Sequence, residues 1–434
     1  MYNNIKTNRI LAKNVLASND AWATGLNNND LLVGPSGGGK TRGYVVPNLL
    51  HAQDSLIVAD TKGNLYRLYG EYLRKKGYTV MHLDFTEVAY TPWGYNPLAY
   101  IRKCRDVELH RNGDYYSEQD VKKLAQALCP CTNSKEPFWD QAAQMYLEAI
   151  ILFVLNLLPQ EQHNLYEVYT FLSKMGTDVL EDMIEEECTA HPHSAFARKI
   201  GMIRQNTKAE KMDASIKGIL AQHLDVVTYS GVKRMFCMKE QVDMDAFLKD
   251  KTALFLSVSD SDRSQDALIN LFYTQALQYL MIAADRRPDS RLPIPVRFIL
   301  DDFSTNTVIP DFDKIISVIR SREIYVSVVI QSLSQLEGLY GHAKAQTIIN
   351  NCDHCLYLGG TDTQTAQYFA EKFNCQVSTV LNLPLDIMFI FERGSEPRRV
   401  QKYALDQDDA YRSLMETMGS RRARTQAGPE KGEA

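Results

Sequence analysis

Apolar residues gather in short runs along the first hundred positions of the chain. Leu31, Leu32 and Val33 form one run, and two more lie at 55–60 and 79–84, with stretches of helical spacing between them. Short β-rich runs that alternate with helices are typical of parallel βαβ units. The polar positions 1–29 before them indicate an irregular entry segment. This part of the chain is therefore predicted to begin a parallel sheet.

The hydrophobic pattern changes between about 106 and 232, where strand signals almost disappear. Val121, Leu124, Ala125 and Leu128 recur at helical spacing, and an apolar stretch at 138–158 predicts a long buried helix. Strand signals return in the last third of the chain, at 252–258, 296–300, 325–330 and 354–358. The pattern predicts an α/β fold in which an all-α domain interrupts a sheet domain.

The predicted domain limits follow from these changes. The sheet domain comprises 1–104 and 236–418, and the inserted helical domain comprises 105–235. The positions 419–434 are rich in Arg, Gly, Glu and Pro, a composition that predicts a disordered tail.

A glycine-rich motif follows the first apolar run and fits the phosphate-binding pattern G-x-x-x-x-G-K-[ST] without a mismatch. Its members are Gly34, Pro35, Ser36, Gly37, Gly38, Gly39, Lys40 and Thr41. Glycines let backbone N–H groups turn toward phosphate oxygens, and the following helix N-terminus favours anions. Lys40 is expected to contact the β- and γ-phosphates of ATP, and the Thr41 hydroxyl to bind Mg²⁺.

A second motif supplies the carboxylates of an ATP site. The apolar segment 297–302 ends in Asp301 and Asp302, which is a Walker B arrangement. Asp301 is expected to hold Mg²⁺ opposite Thr41, and Asp302 to orient or deprotonate the attacking water. Aspartate is one methylene shorter than the glutamate usual at this position, so slow hydrolysis is expected.

Two further polar residues flank the next predicted strand, 324–331. Gln331 ends that strand and can sense the γ-phosphate, whereas Arg320 or Arg322, just before the strand, can act on the ATP site of a neighbouring subunit. Taken alone, each is equally compatible with an ordinary polar position at the end of a strand or helix.

Composition narrows the picture only slightly. The chain has 434 residues, 45% of them hydrophobic and 23% charged, which is ordinary for a globular protein. A net charge of −5 means that any nucleic-acid contact must come from a local basic patch. The apolar run at 149–158 is shorter than the ~20 residues that span a bilayer, so no transmembrane segment is predicted.

The eight cysteines are expected to be reduced thiols of a cytoplasmic protein. Two pairs, Cys129 with Cys131 and Cys352 with Cys355, leave a zinc site open as an alternative to buried structural thiols. The spacing does not show that the two pairs meet.

The motifs resemble those of the type IV secretion coupling proteins (TraG/TraD-like conjugal transfer ATPases). The resemblance runs in order along most of the chain. It rests on Asn28-Asn29-Asp30-Leu31-Leu32-Val33, the phosphate loop, Pro47-Asn48-Leu49-Leu50, Asp60-Thr61-Lys62-Gly63, Tyr95-Asn96-Pro97-Leu98, Pro137-Phe138-Trp139-Asp140, Ile309-Pro310-Asp311-Phe312, Ile319-Arg320-Ser321-Arg322, Gln331-Ser332-Leu333-Ser334-Gln335-Leu336, Asn351-Cys352-Asp353 and Leu358-Gly359-Gly360.

This resemblance implies a RecA-like P-loop NTPase core with an inserted all-α domain. It further implies an ATP- and Mg²⁺-dependent coupling protein that recruits relaxase-bound, single-stranded DNA for transfer through a secretion channel. Relaxase, channel components and further copies of the chain in a hexameric ring are the implied partners. A soluble HerA/FtsK-like DNA translocase and a nucleotide-binding cargo adaptor with little hydrolysis remain open as alternatives.

Three features depart from the family pattern. The two membrane helices usual at the start are absent from this sequence, Asp302 replaces glutamate, and Thr61 and Asn64 stand where Pro and Glu are usual. Two interpretations of the first departure stay open: a cytoplasmic form that docks on a separate membrane-anchored partner at the inner face of the membrane, or a reading frame that starts further upstream.

Overall fold

The computed structural model describes residues 8–61, 63–105, 114–131, 137–207, 209–303 and 308–427. Within them the strands are β1 (Asn8–Ala12), β2 (Val15–Ser18), β3 (Asp30–Val33), β4 (Ser55–Thr61), β5 (Thr79–Asp84), β6 (Lys103–Arg105), β7 (Asp114–Tyr116), β8 (Thr252–Val258), β9 (Val296–Leu300), β10 (Ile324–Ile330), β11 (His354–Tyr357), β12 (Ile387–Glu392) and β13 (Arg398–Gln401). The helices are α1 (Ala21–Thr24), α2 (Val46–Leu50), α3 (Asn64–Lys75), α4 (Glu118–Leu128), α5 (Phe138–Leu157), α6 (Leu165–Lys174), α7 (Asp178–Ala190), α8 (Ala195–Thr207), α9 (Glu210–His223), α10 (Ser230–Cys237), α11 (Ala246–Lys249), α12 (Asp266–Asp285), α13 (Phe312–Ile316), α14 (Leu333–Tyr340), α15 (His342–Asn350), α16 (Thr363–Lys372), α17 (Val377–Leu381) and α18 (Asp409–Ala427).

A nine-stranded sheet forms the core of the first of two units, in the order β13-β12-β11-β3-β10-β9-β4-β8-β5. The neighbours from β11 to β8 pair in parallel. Parallel strands covered on both faces have continuous apolar runs, and β3, β8, β9 and β10 are buried along their whole length. The parallel sheet predicted from these runs is therefore present.

Antiparallel strands extend this sheet beyond the predicted elements. β12 pairs antiparallel with β11, and β13 with β12, so the last strands of the chain lengthen one side of the sheet. A separate hairpin joins β1 to β2 within the segment that the sequence presents as irregular. Asn14 closes it with a φ of 58°, a left-handed conformation that asparagine tolerates better than most residues.

The second unit comprises residues 83–243 and 261–279 and is mainly helical. α5 lies at its centre and packs against α4, α6, α8 and α9. This unit is wider than the predicted 105–235 because flanking segments join it: Gly94 exchanges backbone hydrogen bonds with Glu240 and Val242, and Gly231 lies against Ala89. The β6–β7 pair shows that the unit is not entirely helical.

Two helices differ from the sequence expectations. Among the described residues, α12 alone is long and apolar enough to cross a membrane by length and composition, and 56% of its most apolar window is buried, as in a core helix. α18 continues to Ala427, so 419–427 is helical where composition suggested disorder, because its Arg, Ala and Gln residues are strong helix formers. Residues 428–434 of the predicted tail lie outside the described residues.

Candidate nucleotide-binding site

The phosphate loop begins directly after β3, at the carboxyl edge of the sheet. Gly37 and Gly39 have φ values of 73° and 90°, which only glycine adopts without steric cost. A Cβ on Gly38 would lie 2.9 Å from the Pro35 carbonyl oxygen, which accepts the Gly38 N–H at 3.0 Å. The consecutive glycines are therefore required by the turn itself, which leaves backbone N–H groups available to an anion.

The helix after the loop opens with a π-helical turn, Thr41–Val45, before α2. The Val46 N–H bonds to the Thr41 carbonyl, one residue further back than in an α-helix. Pro47 explains the widening, because its ring removes a donor and crowds the preceding carbonyl. The turn sets the direction in which Thr41 leaves the loop.

Thr41 and the Walker B carboxylate meet in space. The Thr41 hydroxyl donates to Oδ2 of Asp301 at 2.8 Å, although the two residues are 260 positions apart. The Lys40 ammonium lies inside the loop and donates to the carbonyl oxygens of Gly34 at 2.7 Å and Pro35 at 3.1 Å. The expected contact between the two motifs is thus present.

Charges at this edge are only partly solvated. Burial, together with the nearby Asp302 carboxylate, raises the pKa of Asp301 to about 6, and the Thr41 hydrogen bond and Lys40 oppose the shift. Burial lowers the pKa of Lys40 against the attraction of both carboxylates. Lys40 Nζ lies 4.0 Å from Asp302 Oδ1. A divalent cation bound here would reduce the electrostatic repulsion between the carboxylates of Asp301 and Asp302.

Asp302 has a left-handed backbone, with φ of 51°, and a half-buried side chain. Aspartate tolerates this region better than most residues because its short side chain bonds locally. The conformation turns the backbone sharply after Asp301, whose Oδ1 accepts the Asp302 N–H at 3.2 Å.

Gln331 lies at the same edge, between the two motifs. β10 is paired with β3 on one side and with β9 on the other, and the Gly34 N–H bonds to the Ile330 carbonyl at 3.2 Å. On the Walker B side, the Phe303 N–H bonds to the Val329 carbonyl at 2.9 Å. Gln331, the next residue after Ile330, is half-buried there, between the strands that carry the two motifs.

The donor set fits a nucleotide with Mg²⁺. Hydroxyl and carboxylate oxygens are the ligands that Mg²⁺ prefers, and Thr41 with Asp301 supplies one of each. Among the described residues there is no cluster of three or more His, Cys, Asp or Glu side chains suited to a metal. Cys352 and Cys355 are buried, and burial raises the pKa of both thiols.

Comparison with known proteins decides the family. The family model described as "Type IV secretory system Conjugative DNA transfer" matches residues 2–375. This chain belongs to that family.

Sequence similarity to individual proteins supports the same assignment. VirD4 of Rhizobium radiobacter is 23% identical over 349 residues, 79% of this chain and 47% of VirD4. The conjugal transfer protein TraG of Escherichia coli is 24% identical over 339 residues, 74% of this chain and 51% of TraG. The chain thus spans about half the length of these curated relatives.

The fold is shared with a solved coupling protein. The plasmid coupling protein TrwB in complex with ADP and Mg²⁺ has a TM-score of 0.67 and 16% identity, and the match covers 93% of this chain and 91% of that chain. The RecA-like P-loop α/β fold expected from the sequence is confirmed.

Arg322 lies apart from the other predicted site residues of this chain. Arg322 precedes β10, at the opposite edge of the sheet from the phosphate loop, and pairs with both oxygens of Asp285 at 2.8 and 3.0 Å. It also donates to the Val318 carbonyl at 2.8 Å, while Arg320 donates to the Ala21 carbonyl. Neither arginine can reach the loop of its own chain, so a role in catalysis requires a second copy.

The motif at the end of β4 has a structural role that the sequence left open. The Asp60 carboxylate accepts the backbone N–H groups of Leu65 and Tyr66, and so caps the first turn of α3. Lys62 of the same motif lies outside the described residues.

Two features of the site unit were given no role by the sequence analysis. Lys402, directly after β13, donates to the Gly38 carbonyl of the phosphate loop. At the amino edge of the sheet, Asp30 is fully buried against Arg9, Arg297 and Tyr44. A charged residue at the start of an apolar strand, as at Asp30, is the only sequence signal for the second feature.

Proposed function

We propose that the chain is an ATP-dependent coupling protein that recruits relaxase-bound DNA and drives or gates its transfer through a type IV secretion channel. The contact between Thr41 and Asp301 carries the proposal, because it joins phosphate loop and Walker B strand in a chain of the conjugative DNA transfer family. The similarities do not favour a translocase unconnected with secretion.

Nucleotide binding is the first part of the proposal. Loop N–H groups from Gly34 to Gly39 would hold the phosphates, and Lys40 would exchange its loop carbonyls for the β- and γ-phosphates. Thr41 and Asp301 would hold Mg²⁺, which neutralises charge that develops on the phosphates. The ADP and Mg²⁺ named for the TrwB complex support this assignment.

Hydrolysis is assigned to groups at the same edge. Asp302 would orient or deprotonate the attacking water, and Gln331 would report the presence of the γ-phosphate. The shorter Asp302 places its carboxylate about 1 Å further from the phosphate than glutamate would, which favours slow turnover. Arg322 of one copy would complete the site of the next, after release from Asp285.

The partners are proposed from the family. The family description, conjugative DNA transfer by a type IV secretory system, and the relative TraG, a conjugal transfer protein, support DNA and secretion-system components as partners. Single-stranded DNA and a relaxase are proposed with them. An arginine that needs a second copy is consistent with a ring of subunits, proposed as a hexamer.

The test measures ATP turnover by the full chain with and without single-stranded DNA. We expect DNA to stimulate turnover, and Lys40→Ala to abolish it, whereas Lys13→Ala, an exposed lysine in the same unit, should behave like the parent. Turnover that Lys40→Ala leaves intact would refute the site. Measurable ATP binding without DNA-stimulated turnover would identify a cargo adaptor instead.

The secretion role needs a separate measurement. Co-purification with a relaxase, in an ATP-dependent manner, is expected for a coupling protein. A DNA-stimulated ATPase that binds neither relaxase nor channel components would be a translocase of another pathway.

A further inference from the structure

The glycine run of the phosphate loop is held from its outer side by a lysine that belongs to no nucleotide-binding motif. The Lys402 ammonium donates to the Gly38 carbonyl and to the Leu358 carbonyl, each at 2.9 Å. Leu358 in turn donates its N–H to the Val33 carbonyl at 2.8 Å, directly before the loop. One ammonium thus ties the middle of the loop to the strand beside its base.

We propose that Lys402 is a positioning residue of the nucleotide site, which fixes the glycine run in its binding conformation and adds positive charge behind the phosphates. The proposal rests on the nucleotide-binding function proposed above. It concerns how tightly the loop is preformed, and assigns no contact between Lys402 and the reacting atoms.

Conformational freedom of the loop is the first argument. Gly37, Gly38 and Gly39 lack side chains, and glycine loses more backbone freedom on ordering than any other residue. Inside the loop, Lys40 holds the Gly34 and Pro35 carbonyls, but it must leave them to reach a phosphate. Lys402 binds a different carbonyl and can stay in place, so it restrains the glycines before and after nucleotide binds.

Charge is the second argument. Lys402 is half-buried, and in the described part of the chain no carboxylate lies within ion-pair distance of its ammonium. Burial lowers the pKa of Lys402, and the negative charge of Asp386 opposes that shift. An ammonium that is desolvated and bound only to carbonyls stabilises an anion arriving on the far side of the same peptide groups.

The position of Lys402 is itself fixed by the sheet. Its N–H bonds to the Asp386 carbonyl at 2.8 Å, which continues the β12–β13 ladder. The next residues run along the phosphate-loop helix, where Asp406 pairs with Arg42 and Asp408 with His51, each at 2.7 Å. The lysine therefore approaches the loop from a strand and not from a free tail.

Calorimetric titration of the full chain with ADP and Mg²⁺ tests the proposal. Lys402→Met keeps the length of the stem but removes the donors and the charge. We expect its Kd for ADP to rise about tenfold, which corresponds to about 1.4 kcal/mol. Lys402→Gln can still donate to a carbonyl and should lie between Lys402→Met and the parent, while Lys402→Arg should restore most of the affinity.

A kinetic readout separates positioning from a general loss of structure. The KM for ATP should rise in Lys402→Met while kcat changes less than about threefold, because the reacting groups are untouched. Lys13→Met is the matched control: Lys13 is exposed, its ammonium bonds to Gln401 beside Lys402, and among the described residues it has no hydrogen bond to the phosphate loop. Its Kd and KM should equal those of the parent.

The outcomes distinguish this inference from the function on which it rests. If Lys402→Met binds ADP within twofold of the parent while Lys40→Ala loses binding, Lys402 does not position the loop and the nucleotide site stands. If Lys402→Met and Lys402→Gln both fail to fold, or lower kcat and affinity alike, the role is structural and the inference is overturned. If Lys40→Ala binds ADP normally, the nucleotide site itself is misassigned.

Discussion

Replacement of Asp30 by asparagine is expected to destabilise the sheet unit strongly. Asp30 is fully buried and accepts two hydrogen bonds from Arg9, Nε to Oδ2 and Nη2 to Oδ1, each at 2.7 Å. The Tyr44 hydroxyl also donates to it, and Arg297 Nη1 lies 3.5 Å from Oδ2. An asparagine side chain has the same shape as aspartate without the negative charge.

The size of the expected stability loss follows from the two arginines that remain buried after Asp30 is replaced. Arg9 and Arg297 are both buried. Burial alone would lower the pKa of Arg9, but Asp30 and its neighbours raise it, so the guanidinium keeps its proton. In Asp30→Asn, two guanidinium groups would share a site from which water is excluded. Breaking a buried pair by removing one partner costs about 3–5 kcal/mol, and we expect a loss in this range.

Hydrogen exchange during urea unfolding is the suitable assay. The chain divides into two compact units, and a protein with more than one unit need not unfold in a single two-state transition, so a global signal does not report the sheet unit alone. Exchange in peptides that cover β10, the neighbour of β3, reports the stability of the unit that contains Asp30. The free energy of opening derived from these peptides should fall by the amount given above.

An exposed pair of the same chemistry is the control. Arg42 and Asp406 also lie 2.7 Å apart, but 78% of the Asp406 side chain is exposed. Asp406→Asn should change stability by only about 0.2–1 kcal/mol, because solvent screens the pair. Equal effects of Asp30→Asn and Asp406→Asn would refute the argument that burial sets the cost.

The pH dependence gives an independent check. Burial alone would raise the pKa of Asp30, but the arginines and His354 hold it well below its usual range. A carboxylate with a depressed pKa contributes stability above its unfolded pKa of about 3.9, and that contribution is lost as pH falls further. The difference between parent and Asp30→Asn should be constant from about pH 5 to 8 and shrink below about pH 4. A difference that grows on acidification would contradict the assignment.

Three predictions concern the nucleotide site. Thr41→Val should weaken ADP binding, measured by titration, in the presence of Mg²⁺ but leave it nearly unchanged in EDTA, because the substitution removes a metal ligand and keeps the loop. An equal loss of affinity in both conditions would contradict this role. Asp302→Glu should retain or raise ATP turnover, despite a cost of about 1 kcal/mol for a longer side chain at positive φ, and loss of hydrolysis would show that Asp302 is not a shortened base. Arg322→Ala should lower turnover, and mixing it with Lys40→Ala subunits should restore part of it, since mixed rings would contain sites with both an intact Lys40 and a neighbour's Arg322. No recovery on mixing would argue against a role in trans.

The sequence predicted those parts of the site that depend on local patterns. The loop glycines adopt positive φ at fixed positions of the motif. The apolar strand that ends in Asp301 can be predicted from its own residues, without information on the strands that pair with it. The contact between Thr41 and Asp301 could be predicted because the carboxyl ends of parallel strands meet at one edge of a sheet.

The remaining features depend on pairings that no local pattern reveals. Lys402 reaches the loop because β12 and β13 add to the sheet in antiparallel fashion, and neither strand alternates clearly enough to have been predicted. The extent of the helical unit also depends on such pairings. Irregular segments such as the one around Gly94 carry little periodicity, and only their backbone hydrogen bonds assign them to a unit.

The place of β3 in the sheet has a consequence for biosynthesis. Its two neighbours are β10 and β11, so Leu31 and Leu32 leave the ribosome long before the strands that cover them. At about 5–20 residues per second, the interval is on the order of 15–60 s. Throughout that time the apolar residues of β3 have no partner strand, and the glycine run that follows them is not held in its folded conformation. A chaperone that binds nascent chains would have a target there, and ATP could bind only after β9, β10 and β11 have been synthesised.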